Sequence, residues 1–588
     1  MTTQTLISWN LNDLYTSFND PLVKKDLNDL DLKCTDFQKT FEPSKGGYDS
    51  HTLLKALKQY EEIQELSGRL MSFAYLLFST KSTQDEVKIF FQNTQDQVTQ
   101  SYSKVLFFTL HLTKTKESDL NAFYENSKEL KFYKPWIDSV RLYKDHQLSD
   151  EIEQILFEKS VAGRQAFERL YEETLTSISE DHEGKPYSFS DILNLFAEKD
   201  ESKRYLGATL LNKALEKNSS LLTLITNTLA KDKEIEDRWR GYKTPMSSRH
   251  LSNQVEEDVV EALIKTVKKN YPKLSHRYYA LKAKWMKKEK LEYWDRNAPL
   301  EDSSATLMSW DEAKETVLSA YGAFSATTKE IAARFFDHNW IDANPSLGKD
   351  SGAYSHPTVP SVHPYILMNF HGKLRDVMTL AHELGHGIHQ VLSAPQGPLL
   401  SDTPLTLAET ASVFGEMLTF KSLLKKTTST QEKKALIAAK VEDMLNTVVR
   451  QVAFYEFEKQ VHLKRKEGEL SSKELNEIWL STQKEALGEA VNLDPLVSNY
   501  WSYISHFIRS PFYVYAYAFG DCLVNSLYAV YEKGFDDFQE TYLTFLKAGG
   551  SKNYKELLAM FNLDPTKEDF WQNGLSLIES FIDELEAL

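Results

Sequence analysis

The sequence predicts a mostly α protein with a small β region, and three observations carry that expectation. Apolar residues recur at helical spacing early in the chain: Leu53, Leu54, Leu57, Tyr60, Ile63, Leu66 and Leu70, then Phe73, Leu76 and Leu77. Gly and Pro, the helix breakers, are sparse from 85 to 180, and charged helical patterns return over 425–500. Between 336 and 370 the pattern changes to Gly, Pro and Ser with short β-like runs, and Tyr365-Ile-Leu-Met-Asn-Phe370 reads as a strand.

Taken in order, residues 1 to about 180 read as long helices without a catalytic constellation. Asp181-His-Glu-Gly-Lys-Pro-Tyr-Ser-Phe-Ser190 is the clearest break. Gly184 and Pro186 punctuate it, and alternation around them predicts a short hairpin. We place a boundary near 195, with an N-terminal helical lobe over 1–195 and a second domain over 196–588. Helices resume from about 200 to 335. The basic run Lys282 to Lys290, with Trp285 inside it, reads as a solvated helix face. The apolar stretch Pro511 to Tyr531 carries Asp521, Asn525 and several tyrosines, too polar a content for a membrane span.

The 588 residues carry a net charge of −16, with a pI near 5.5. Nucleic-acid binders and proteins of anionic membrane surfaces show a basic footprint, so both classes of partner are disfavoured. No obligate protein partner is evident. Two cysteines, Cys34 and Cys522, cannot build a disulfide framework or a cysteine-based metal site. Two free thiols suit a reducing compartment. Met1 to Asn10 has neither the basic region nor the apolar core of a signal peptide, so the expected compartment is the cytoplasm.

Seven of the 15 histidines fall between His338 and His389, which marks the active region. Within it lies His382-Glu383-Leu384-Gly385-His386. On a helix, positions i and i+4 share a face, so both imidazoles can reach one metal ion. Glu383 lies about 100° around the helix from His382, placed to reach a metal-bound water rather than the metal. That is the chemistry of a zinc peptidase. The motif is short and occurs by chance, but its flanks are helix-compatible and free of proline.

A catalytic site needs a third protein ligand and an open position. A third histidine in H-E-x-x-H-x-x-G-x-x-H is excluded, because His389 stands at the glycine position and Leu392 at the histidine position. The other source is a downstream carboxylate. Leu405-Thr-Leu-Ala-Glu409-Thr-Ala-Ser-Val-Phe-Gly-Glu416 supplies Glu409, the first acidic residue in an apolar run. We read Glu409 as the third ligand and Glu416, seven residues on, as a group that holds a ligand histidine. An ordinary helix glutamate is the alternative for each. If Tyr365–Phe370 is an edge strand, its free backbone groups can pair with an extended peptide; otherwise it is a plain core strand.

These residues carry a family resemblance. Gly348 to Tyr354, Pro364 to Phe370, Asp376 to His386 and Glu409 resemble oligoendopeptidase F, of the thimet-oligopeptidase-like zinc peptidases. The similarity continues at Ser8 to Tyr15, Arg240 to Arg249 and His506 to Gly520, so it spans nearly the whole chain. The resemblance implies two helical lobes enclosing a deep substrate channel, with a small β-sheet next to the H-E-x-x-H helix, and one Zn²⁺ per chain. It implies substrate contacts at Gly352, Ala353, Tyr365, Leu367 and Tyr515. It also assigns oxyanion donors to His506-Phe-Ile-Arg-Ser-Pro-Phe-Tyr513-Val-Tyr515-Ala-Tyr517. Tyr OH and protonated His suit that task. His506, Tyr513 and Tyr517 share a face if the segment is helical, although Pro511 can break its start and the alternate tyrosines permit a register slip.

The expected function is a zinc endopeptidase that cuts internal bonds of short unfolded oligopeptides, with Glu383 as general base. Its nearest rival is an exopeptidase that fixes a peptide terminus, with Arg509 as one candidate anchor. A non-catalytic peptide binder is a third reading, disfavoured because a binder has no need of Glu383.

Overall fold

The computed structural model describes residues 7–42, 47–160, 162–300, 307–346, 348–350 and 352–588. The first six residues, on which part of the signal-peptide expectation falls, lie outside the described residues, as does Ser351 of the Gly348–Tyr354 run. By internal contacts the chain divides into two compact units of three segments each. The first gathers 1–144, 305–426 and 531–563, and the second 145–304, 427–530 and 564–588. Both are dominated by helices.

In the first unit the helix Ser50–Lys81 runs for 32 residues. Asp49 starts it by accepting the Thr52 N–H at 2.7 Å. Its buried stripe includes Leu53, Leu57, Tyr60, Ile63, Leu70 and Phe73, the residues whose spacing predicted the helix. It packs against the helices Pro21–Phe41 and Asp85–Ser103.

A three-stranded sheet follows in the same unit. Its centre strand is Tyr365–Leu367, paired in parallel with Ile341–Asp342 and antiparallel with Tyr354–His356. All three residues of the centre strand are buried. The edge-strand reading of this segment is therefore corrected: Tyr-Ile-Leu has no polar alternate to turn to water, which suits a strand covered on both faces. Tyr354–His356 lies at an edge of this sheet.

Two helices then complete the neighbourhood of the histidine motif. Leu374–Ser393 carries the motif, and Thr410–Lys426 packs along it. An aromatic cluster of Phe324, Phe414, Tyr531, Phe538 and Tyr542 anchors this part of the core, with ring centroids 4.6–6.3 Å apart.

The second unit contains the expected hairpin, Ser179–His182 against Lys185–Ser188. Glu183 and Gly184 both take positive φ, 54° and 79°, as a tight two-residue turn of this kind requires. Helices Glu201–Lys217, Ser219–Trp239, Glu257–Asn270, Val449–Arg465 and Ser472–Leu487 form much of the rest. The basic run departs from expectation at one residue. Lys284, Lys287 and Lys290 are exposed, but Lys282 is fully buried and donates to Glu442 at 2.6 Å and to the Arg296 carbonyl at 2.7 Å. Its four-carbon stem packs inside while its ammonium is satisfied by fixed acceptors. Cys34 and Cys522 are both buried and unpaired. No helix among the described residues is long and apolar enough to cross a membrane.

Candidate metal centre

The motif helix begins at Leu374. Asp376 caps it by accepting the N–H groups of His371 at 2.7 Å and Lys373 at 3.0 Å. Val377, Leu380, Ala381, Leu384 and Ile388 are buried and fix its rotation. His382 and His386 then project one turn apart from one face, with ring centroids 4.9 Å apart.

Glu409 comes from the break between the single turn Leu405–Ala408 and the helix Thr410–Lys426. Gly385 lets the two helices approach. A Cβ there would sit 2.4 Å from the Ala411 carbonyl oxygen and 2.5 Å from the Ser412 Cα. Glu409 Oε2 thus lies 3.4 Å from His382 Nε2 and 3.6 Å from His386 Nε2. One donor atom from each of the three residues can be chosen so that all lie within 4.8 Å of one another.

The residues fit a divalent cation. Two donors each about 2.0–2.1 Å from a tetrahedral ion stand about 3.3 Å apart, close to the separations found here. Two imidazoles and one carboxylate are a ligand set that leaves a coordination position open. The surrounding charge agrees. Burial lowers the pKa of His382, but its hydrogen bond to Glu416 and the carboxylates of Glu409, Glu383 and Glu416 outweigh that and raise it to about 9. Positive charge is favoured at this point, and a divalent cation meets that demand. His386 is held down by burial, against the Glu409 charge. Burial acts to raise Glu409, but the two histidines and a Ser412 hydrogen bond bring it below the usual range.

The supporting groups are partly those expected. Glu416 Oε2 lies 3.3 Å from His382 Nδ1, as a group orienting that ring should. The sequence reading missed three others. Ser412 donates to Glu409 Oε2 at 2.7 Å; its place three residues after Glu409, one helical turn on, was the available signal. The His386 ring bonds the Ala408 carbonyl, a backbone partner with no side-chain signature. Gln390 ties the motif helix to the sheet edge: its Nε2 donates to the Ser355 carbonyl at 3.1 Å, and Ser355 Oγ donates to its Oε1 at 2.8 Å.

Glu383 is 6 % exposed. Its Oε2 is buried with no hydrogen-bond partner among the described residues. Burial raises its pKa to about 7; the His382 charge opposes this, Glu409 adds to it, and the Ser355 N–H favours the anion. A buried carboxylate tuned near neutrality, with one oxygen free, is the form a general base takes.

The remaining candidates separate. Gly352 and Ala353 lead directly into the edge strand, and the Gly352 N–H donates to Asp350 at 2.9 Å. Tyr365 and Leu367 are fully buried in the centre strand, and the Tyr365 hydroxyl donates to the Asn10 carbonyl at 2.8 Å. Substrate contact through their side chains is therefore withdrawn. In the second unit His506 Nε2 stands 3.1 Å from the Tyr517 hydroxyl, and the Tyr513 ring lies 6.3 Å from His506 and 5.2 Å from Tyr517. The segment is not one helix. His506–Arg509 makes a single turn, Phe512 takes φ 61°, and a new helix starts at Tyr515. Glu458 accepts the Phe512 N–H at 2.9 Å, and Arg249 donates to the Pro511 carbonyl at 3.1 Å, so the turn is pinned on both sides. This register sends Tyr515 into the core. It is fully buried, its hydroxyl bonded to Asn253 at 2.9 Å and to His250 at 3.2 Å, so a substrate contact there is withdrawn. Arg509 is paired with Glu172.

Comparison with known proteins agrees with this geometry. The model of Peptidase family M3 matches residues 195–577, and that of Oligopeptidase F matches residues 112–179. The oligopeptidase PepF of Bacillus subtilis is 28% identical over 549 residues, covering 91% of this chain and 81% of that protein. An oligoendopeptidase F homolog of Borreliella burgdorferi is 28% identical over 587 residues, covering 99% and 98%. Among solved structures, a putative peptidase from Chlamydophila abortus superposes with a TM-score of 0.86 at 23% identity, covering 99% of this chain and 98% of that one. Oligoendopeptidase-F from Enterococcus faecium gives 0.72 at 20% identity, covering 96% and 99%. The fold is shared with these structures. On the family match, which covers well over half of its length, the chain belongs to peptidase family M3 and is a metallo-oligopeptidase.

Proposed function

We propose that the chain is a zinc-dependent endopeptidase that hydrolyses internal bonds of short unfolded oligopeptides. His382, His386 and Glu409 hold the zinc. The observation that carries this is their convergence beside Glu383, a buried carboxylate with an unbonded oxygen. Relatives named oligoendopeptidase F support the substrate class. Bound zinc supplies Lewis acidity, polarising a carbonyl and lowering the pKa of water.

The chain's own residues do the rest. Glu383 takes the proton of the attacking water on Oε2 and passes it to the leaving nitrogen. His506, Tyr513 and Tyr517 donate hydrogen bonds to the oxyanion that develops on the scissile carbonyl. Extended peptide pairs with this sheet edge at Ala353, ahead of Ser355, whose own carbonyl and N–H are taken by Gln390 and Glu383. Successive outward backbone groups on a strand lie two residues apart, so Ala353 presents its N–H and C=O on the same edge as Ser355. Gly352, without a side chain, leaves that approach open. Glu416 holds the His382 ring. The net charge of −16 supports peptide partners over nucleic acid or anionic membrane, and two unpaired cysteines support a cytoplasmic setting.

The test is hydrolysis of an internally quenched peptide of about nine residues, blocked at both ends, before and after chelation and zinc return. Internal, chelator-sensitive, zinc-restored cleavage is expected. A blocked peptide left intact while a free-ended one is trimmed would establish an exopeptidase instead.

A further inference from the structure

In a chain of net charge −16, two arginines of the second unit, Arg450 and Arg296, stand over aromatic rings with no carboxylate in ion-pair range among the described residues. Arg450 has a buried, unbonded Nε, and its guanidinium lies over the Phe454 ring, 5.0 Å from the centroid. Phe454 packs at 5.5 Å against Phe507, the residue after His506. Arg296 is buried, with its guanidinium 3.9 Å from the Tyr293 ring centroid and its Nε donating to the Tyr293 carbonyl at 3.2 Å. From Tyr293 an aromatic chain runs through Tyr500 at 5.8 Å to Tyr503 at a further 5.6 Å. Burial raises the Tyr503 hydroxyl, and the charges of Arg450 and Arg296 both pull it back. Burial lowers His506, and Arg450 lowers it further. The two guanidiniums thus act on one small region that contains His506. Glu442, the carboxylate on which Arg296 acts, is already held by Lys282 at 2.6 Å and Tyr278 at 2.5 Å.

Desolvated positive charge without an anion is costly, and an incoming anion relieves that cost. A guanidinium stacked on an aromatic face keeps its edge N–H groups free for a planar carboxylate. We propose that Arg450 and Arg296, with the Tyr503 hydroxyl, form a carboxylate-binding subsite beside His506 that takes a carboxylate of the peptide substrate. The anion every unblocked peptide carries is its C-terminal carboxylate; an acidic side chain is the other source. Arg509, spent on Glu172, is not the anchor. The proposal rests on the peptidase reading and adds to it a preference for peptides with a free C-terminus.

The experiment uses the metal-loaded full chain and three N-acetylated peptides of one sequence: the free acid, the C-terminal amide, and the amide with glutamate as last residue. Products and kcat/KM are read by mass spectrometry. The free acid is expected to exceed the amide by about tenfold or more, mainly through KM, the size of a lost charge-assisted pair. Arg450→Met should bring that ratio to about one, and Arg450→Lys should keep part of it. If the glutamate amide is fast while the free acid resembles the amide, the subsite stands and the side chain is its source. Equal rates for all three peptides in the wild type, or an undiminished ratio in Arg450→Met, overturns the subsite while leaving the peptidase. Turnover of none of them removes the peptidase reading, and the subsite with it.

Discussion

At Glu383 two demands meet in one side chain: burial enough to lift its pKa to about 7, and one oxygen left without a partner. Glu383→Gln keeps the size of the side chain and removes the base. It should retain metal, measured by elemental analysis, and lose about 100- to 10,000-fold in kcat, the range for a positioned general base; near-normal turnover would remove the mechanism. Tyr517→Phe deletes the hydroxyl 3.1 Å from His506 Nε2. If that hydroxyl serves the oxyanion, kcat should fall by about 100-fold or more with little change in KM. Tyr515→Phe is the matched control, since its hydroxyl serves Asn253 and His250 in the core; its cost should appear in thermal stability. The spacing of His382, Glu383 and His386 was legible because i, i+4 periodicity is local. The choice among the three tyrosines was not, because it depends on a left-handed residue, Phe512, held by Glu458 from another helix.

Among the elements, the convergence of the three proposed metal ligands depends on how closely two helices can lie. Three glycines set the contacts of the motif helix and its partner. Gly385 faces the Ala411 carbonyl. Gly387 faces Phe335, with a built Cβ 2.5 Å from the ring. Gly415 faces Tyr321, whose hydroxyl donates to the Ala381 carbonyl at 2.7 Å. A methyl group at 385 would meet backbone, which cannot step aside as a flexible side chain can. Gly385→Ala should therefore destabilise the first unit by about 1–3 kcal/mol and move Glu409 away from the histidines. Calorimetry together with zinc affinity checks this; a variant with wild-type stability and affinity would show that the helices have slack. The sheet carries a similar lesson. The Tyr365–Phe370 run was legible as a strand from its composition, but strand order is a property of pairing partners distant in sequence, and these placed it in the centre.

For the whole molecule, buried histidines set the response to acid. His462 and His250 lie inside the second unit. Burial, with the charges of Lys233, Arg164 and Lys466 for the first and Lys459 for the second, lowers them to about 3 and about 4. In the unfolded chain each titrates near its usual value of about 6.5. Below that pH the unfolded state takes up protons that the folded state refuses. Stability present above pH 6.5 is therefore lost as pH falls towards 4, by up to about 1.4 kcal/mol per pH unit for each histidine. Glu458 acts in the opposite sense. Burial lifts it to about 8, so its contribution is full below about pH 4.5 and fades as pH rises through 8. Urea unfolding of wild type and His462→Gln at pH 7 and pH 5 separates the His462 effect from that of Glu458, which both chains share. His462→Gln should lose less stability between the two than wild type does, by about 2 kcal/mol. Equal losses would mean that His462 is protonated in the fold.

The sequence alone determined what is encoded within a turn or two of backbone: long helices from apolar spacing, the Gly184 hairpin, the two histidines and the carboxylate of the motif, and Glu409 and Glu416 on one later face. These follow from local periodicity and from the cost of burying a carboxylate without a partner. Tertiary structure decided the rest. It set the 3.4 and 3.6 Å separations of Glu409 from the histidines through a glycine contact. It moved Tyr365 and Leu367 to the centre of the sheet and Tyr515 to the core, buried Lys282, paired Arg509 and left the Arg450 Nε without a hydrogen-bond partner among the described residues. Each of these depends on which distant residue arrives opposite, and such contacts leave no periodic trace in the chain.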